Sequence, residues 1–142
     1  ACGLYMIATL SKHAAESDGY DDALMLDYRG YVAEATGANI FFITRDKEIH
    51  TPVPDCFLNG ITRQTAISLA KEQGYKLVER TIMPDELAKF DGCFITGSAA
   101  EVTPIAGIDN IEYGDNDVAR HIMQLYHDLV RQPQPEYIER QD

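Results

Sequence analysis

Apolar residues along this chain come mostly in short runs broken by turn formers, and only a few stretches hold them at helical spacing. In residues 4–16, Leu4, Ile7, Ala8, Leu10, Ala14 and Ala15 stand near that spacing and Asp18 with Gly19 offers a stop, which predicts a helix packed on a core. Residues 23–27 and 31–35 read as short strands of a hairpin, turned at 27–30 where Gly30 permits a positive φ. Residues 39–44, NIFFIT, are rich in β-branched and aromatic side chains, and Arg45, Asp46 and Lys47 turn the chain toward a partner strand at 48–51. Pro52 and Pro54 break that ladder. Ala66, Ile67, Leu69 and Ala70 then support an amphipathic helix over 61–73, closed by Gly74. The pattern next predicts a strand at 76–82, a helical turn at 84–88 opened by Pro84, and an apolar strand at 92–96 ending at Gly97. Val118, Ile122, Leu125, Leu129 and Val130 share one face of a last helix from Asp117, before QPQP opens a polar tail at 132–142. The class is mixed α and β (α+β), with more hairpins than a doubly wound sheet contains.

Composition narrows the partners more than the fold. A chain of 142 residues with 45% apolar and 25% charged residues suits one domain and is not disordered by composition. With 12 Lys and Arg against 23 Asp and Glu, the formal net charge is −11 and no basic run is longer than an isolated pair, so nucleic acid is not an expected partner. The first ten residues are apolar but lack a basic leader, a cleavage box and the length to span a bilayer, so neither secretion nor a membrane partner is expected. Cys2, Cys56 and Cys93 stand far apart and form no Cys-x-x-Cys pair, which suits a reducing cytoplasm. The abrupt apolar start at Ala1, without Met, suggests a piece of a longer polypeptide.

Three segments can carry chemistry, each with a plain structural alternative. The helix beginning near Ile61 follows Gly60, so its open amides and positive dipole end can receive a phosphate with the Thr62 hydroxyl, or Gly60 simply turns the chain and Thr62 caps the helix. The segment TGSAAEVTP (96–104) runs from a strand into small residues that leave amides open to an anion, or that let two backbones cross in a crowded core. Glu34 closes an apolar strand; it faces either solvent or a cationic ligand atom in a low-dielectric pocket. Arg63, one step into the helix, reads as a structural ion pair. His13, His50, His121 and His127 lack metal-ligand spacing, so no metal is expected. Serine-hydrolase elbow, phosphate-loop lysine and dinucleotide glycine motifs are not present, and none of the five lysines reads as a buried nucleophile.

Taken in order, GYVAEATGANIF (30–41), LNGITR (58–63) and TGSAAEVTP (96–104) resemble the fold-type IV aminotransferases that use pyridoxal 5'-phosphate, and most closely the bacterial branched-chain amino-acid aminotransferases. The resemblance implies the C-terminal large domain of that fold over residues 1–131, a hairpin-rich, β-barrel-like sheet flanked by helices, with the small N-terminal domain outside this sequence. It places Ala1 directly after the lysine that joins the cofactor. Glu34 would meet the pyridine nitrogen, Tyr5 the phenolic oxygen and Leu58 the ring face. Asn39, Gly60, Ile61, Thr62, Gly97 and Ser98 would complete the cofactor site, the phosphate lying against Ile61, Thr62 and Ser98, while Ser98, Ala99 and Ala100 would receive the substrate carboxylate. The implied reaction moves an amino group between Leu, Ile or Val and 2-oxoglutarate, in a homodimer or higher homo-oligomer. Ala35, Ala38, Asn59 and Ser98 depart from the residues usual in the family, and Ser98 preserves a hydroxyl. Rival readings are a non-catalytic binding or assembly module of the same fold, a D-amino-acid transaminase and an aminodeoxychorismate lyase.

Overall fold

The computed structural model describes residues 5–11, 22–27, 29–35, 38–54, 60–97 and 101–131, with 5–11 and 22–23 described by their backbone only. In chain order the described elements are β1 (Tyr5–Ser11), β2 (Asp22–Leu26), β3 (Val32–Ala35), β4 (Asn39–Ile43), β5 (Ile49–Thr51), α1 (Ile61–Glu72), β6 (Leu77–Glu79), a 3-10 turn (Pro84–Lys89), β7 (Gly92–Gly97), β8 (Glu101–Pro104), β9 (Gly107–Ile108), β10 (Ile111–Glu112) and α2 (Asp117–Val130). They build two five-stranded sheets, ordered β10-β9-β1-β2-β3 and β6-β5-β4-β7-β8. All pairings are antiparallel except β5 with β6, whose connection runs through α1.

The layering explains the sequence pattern. Leu24, Leu26, Val32 and Ala35 of the first sheet meet Ile40, Phe42, Cys93 and Ile95 of the second in one buried cluster, in which Phe42 stacks on Phe90 at 4.8 Å. On its other face the second sheet presents Phe41, Ile43 and Phe94 to Ala66 and Ala70 of α1 and to Val118, Ala119 and Ile122 of α2, with Phe41 stacked on Phe94 at 4.7 Å. β4 and the first five residues of β7 are buried on both faces, which is why they read as continuous apolar runs without alternation. Burial on this scale drives the assembly through removal of apolar surface from water.

Three expectations need correction. Residues 5–11 form a strand where helical spacing predicted a helix; β1 pairs β2 from Tyr5–Leu26 to Leu10–Asp22 and also pairs β9. An irregularity between Met6 and Ala8 shifts the phase of alternation there, so a nearly unbroken apolar run mimicked a helical period. The expected strand at 76–82 shortens to Leu77–Glu79. The described strands also stack as two sheets rather than curving into one barrel-like cylinder, because β4 and β7 bury one face on helices and the other on a second sheet.

Strands β8 to β10 left little trace in the sequence. β8 is an edge strand, where Pro104 is tolerated, and β9 and β10 make a two-residue-per-strand hairpin turned by Asp109 at φ 52. A side chain on Gly107 would meet the Ile111 carbonyl oxygen at 2.5 Å, so only glycine fits that close approach.

Candidate functional site

The two sheets meet at a tight corner. Ala35 at the end of β3 and Ala38 before β4 exchange backbone N–H to carbonyl bonds of 2.9 and 3.1 Å, forming a bridge that holds Glu34 on one side of the corner and Asn39 on the other. Glu34 lies opposite Met25 in the β2–β3 ladder, between the buried Ala33 and Ala35, and is itself half-buried. Desolvation raises its carboxyl above the ordinary carboxylate value, and no hydrogen bond or ion pair to its carboxylate occurs among the described residues. The side chain is therefore not a fully hydrated surface acid, and what it lacks among those residues is a positive partner.

Asn39 carries the corner to α1. Its buried Oδ1 accepts the Gly60 N–H at 3.3 Å. Gly60 is the N-cap of α1, extended at φ −67 and ψ 157, and no side chain caps the helix; the first turn holds no acid either. By contrast, α2 is capped by Asn116, whose Oδ1 accepts the Ala119 N–H at 3.0 Å. The first amides of α1 thus keep their positive end open to an anion. Ile61 is 82% exposed and Thr62 half-buried at this mouth. Arg63 is 1% exposed beneath the helix, where its Nη2 donates to Glu79 Oε2 at 2.6 Å and to the Pro52 carbonyl at 3.1 Å. That guanidinium ties α1 to β6 and to the segment after β5.

The third part comes from β7. Thr96 is the direct antiparallel partner of Asn39, and Gly97 pairs with Glu101. Thr96 is fully buried and its Oγ1 has no hydrogen-bond partner among the described residues. In the sequence Thr96 only opened the small-residue segment 96–104, and no alternation on a strand buried on both faces could single out its hydroxyl. Glu101 holds a left-handed backbone at φ 57, and its carboxylate lies 3.3 Å from His127 Nε2 and 3.6 Å from Arg131 Nη2, which fastens the start of β8 to α2.

Glu34, Asn39, Gly60, Ile61, Thr62 and Gly97 are thus tied to one corner through the β3–β4 bridge, the Asn39–Gly60 hydrogen bond and the Asn39–Thr96 pairing. Leu58, Ser98, Ala99 and Ala100 lie outside the described residues, and Tyr5 is described only as backbone in β1. Among the described residues no cluster of three metal-ligating side chains occurs, and no helix is long and apolar enough to cross a membrane. An acid without a cationic partner among those residues, beside an open set of amides and hydroxyls, suits a ligand with a cationic centre at one end and an anion at the other.

Residues 2–108 match the family model described as amino-transferase class IV. The chain is 46% identical over 132 residues to a probable branched-chain-amino-acid aminotransferase of Rickettsia felis, covering 90% of this chain and 45% of that protein. It is 47% identical over 131 residues to the branched-chain-amino-acid aminotransferase of Pseudomonas aeruginosa, covering 90% of this chain and 42% of the relative. Among solved structures, the branched-chain amino acid aminotransferase from Thermobaculum terrenum in its PLP-form superposes with a TM-score of 0.76 at 36% identity, over 87% of this chain and 41% of that one. The chain therefore spans a little under half the length of the relatives it matches.

Proposed function

The chain belongs to the amino-transferase class IV family, and from that premise we propose that it is the cofactor-binding C-terminal domain, residues 1–131, of a pyridoxal-phosphate-dependent branched-chain amino-acid aminotransferase. The whole protein would move the amino group between Leu, Ile or Val and 2-oxoglutarate, in the cytoplasm, as a homodimer or higher homo-oligomer that includes its own N-terminal domain. The observation that carries this reading is the half-buried carboxylate of Glu34, without a partner among the described residues, at the same corner as the uncapped start of α1.

The residues present fit the cofactor. When bound, pyridoxal 5'-phosphate supplies a cationic ring that withdraws electrons from the substrate Cα. Glu34 would accept a hydrogen bond from the protonated ring nitrogen and keep it charged, a pairing that its desolvated carboxylate does not find among the described residues. Backbone amides of Ile61 and Thr62, with the Thr62 and Ser98 hydroxyls, would hold the phosphate at the helix start, where Asn39 Oδ1 accepts the Gly60 N–H and keeps those amides in place. Ser98, Ala99 and Ala100, which follow Gly97 in the sequence, would receive the substrate carboxylate. Tyr5 would donate to the phenolic oxygen, and Leu58 would pack on the ring face. The lysine that moves the Cα proton belongs, in this reading, directly before Ala1.

The test uses the full-length polypeptide. Wild type loaded with pyridoxal 5'-phosphate transfers the amino group from L-leucine to 2-oxoglutarate, and Glu34→Gln retains cofactor but slows Cα proton removal by about two to three orders of magnitude. Amino transfer from D-alanine alone, elimination from aminodeoxychorismate, or cofactor-independent binding only would replace the proposal with one of the rival readings. Unchanged turnover in Glu34→Gln would show that this carboxylate does not face the ring.

A further inference from the structure

We propose that Thr96 is an additional phosphate-anchoring residue of this site, its buried hydroxyl donating a hydrogen bond to the anion held at the start of α1; the inference rests on the cofactor reading above. Two independent observations meet here. One is the α1 N-terminus, which has neither a side-chain cap nor an acid in its first turn. The other is Thr96 Oγ1, fully enclosed and without a hydrogen-bond partner among the described residues. A buried hydroxyl left without an acceptor is costly, so a residue of this kind in a packed sheet calls for an explanation.

Register supplies the direction. Directly opposed residues of an antiparallel pair project side chains to the same face about 4.5–5.5 Å apart, and Thr96 opposes Asn39. Asn39 Oδ1 in turn accepts the Gly60 N–H at 3.3 Å and lies 3.0 Å from where a Gly60 Cβ would stand. The face is the one that β4 and β7 turn toward the helices, since Phe41 and Phe94, two residues along each strand, stack beneath α1. Thr96 therefore continues that row to the end of the sheet where α1 begins. Phe94 needs no polar partner at its depth; Thr96, one step nearer the mouth, carries a donor. Valine would fill the same volume without leaving an unsatisfied hydroxyl, so the hydroxyl is explained by an acceptor that arrives with the ligand. Its reach is distinct from that of Thr62, which approaches from the helix, because Thr96 comes from the sheet below.

The experiment compares Thr96→Val, Thr96→Ser and wild type in the full-length polypeptide, reading cofactor dissociation by absorbance with pyridoxal 5'-phosphate and with pyridoxal, which lacks the phosphate. Thr96→Val should weaken pyridoxal 5'-phosphate about tenfold, the scale of one charge-assisted hydrogen bond, and leave pyridoxal within about twofold. Thr96→Ser should restore wild-type retention. Equal retention by Thr96→Val, or equal losses for both ligands, would overturn the inference, the second outcome marking a purely structural residue. Failure of wild type to bind pyridoxal 5'-phosphate at all would instead defeat the reading beneath it. A structure of the loaded wild type adds a check independent of variant folding: a separation above about 3.5 Å between Thr96 Oγ1 and every phosphate oxygen also overturns it.

Discussion

Replacing Gly60 by Ala places a methyl group 3.0 Å from Asn39 Oδ1, closer than an ordinary contact. Backbone strain plays no part, since φ −67 and ψ 157 suit any residue. Asn39 is enclosed and held in the ladder opposite Thr96, so it yields mainly by releasing the 3.3 Å hydrogen bond from the Gly60 N–H. Losing that bond costs about 1 kcal/mol, and Ala in place of Gly at an N-cap costs roughly another 0.5–1 kcal/mol. Ala also restricts the unfolded chain, which returns about 0.4–1 kcal/mol. The balance is a destabilisation of about 1 kcal/mol, read as a lower urea midpoint at unchanged slope. Asn39→Ser shortens the opposing side chain, so in a double-mutant cycle it should recover part of the Gly60→Ala loss. The same Gly60→Ala protein should hold inorganic phosphate and pyridoxal 5'-phosphate more weakly, because the displaced N-cap carries the Ile61 and Thr62 amides. A neutral or stabilising Gly60→Ala would refute the reasoning, showing that Asn39 moves freely and that the corner does not position the helix start.

Burial raises the Glu34 carboxyl, so protonation stabilises the fold below the ordinary carboxylate range and that contribution is lost as pH rises through the raised value. Glu34→Gln without cofactor should therefore melt above wild type at pH 7, with the gap closing below about pH 4; a gap that persists in acid would assign the effect to packing. Glu79→Ala removes the carboxylate 2.6 Å from the enclosed Arg63 and should cost about 1.5–3 kcal/mol by chemical denaturation, whereas a loss below about 0.5 kcal/mol would show that the pair adds nothing. Gly92→Ala would set a methyl group 2.5 Å from Asn116 Cγ, displacing the α2 cap at a cost of about 1–2 kcal/mol. Combining it with Asn116→Gly should give a smaller loss than the sum of the two, and strict additivity would show that the cap was not displaced.

Local chemistry determined much of this protein before any tertiary contact was known. The β2–β3 and β4–β5 hairpins, α1, β7 and α2 follow from turn residues and apolar spacing. The acid at 34, the glycine before a helix at 60 and the small-residue segment after Thr96 were recognisable as chemistry because their types and order narrow what each can do. Tertiary structure decided the rest. Residues 5–11 became a strand because β2 and β9 offered backbone partners on both sides, a circumstance no local period encodes. Whether Glu34 faced water or an interior depended on a corner formed by two sheets, and its orientation could not be read from alternation on a four-residue strand. Thr96 gained its meaning only through register, since the residue opposite it, Asn39, is 57 positions away and is itself bonded to the cap of α1. Spacing along a chain governs which face a side chain takes, but pairing between distant segments governs what that face meets.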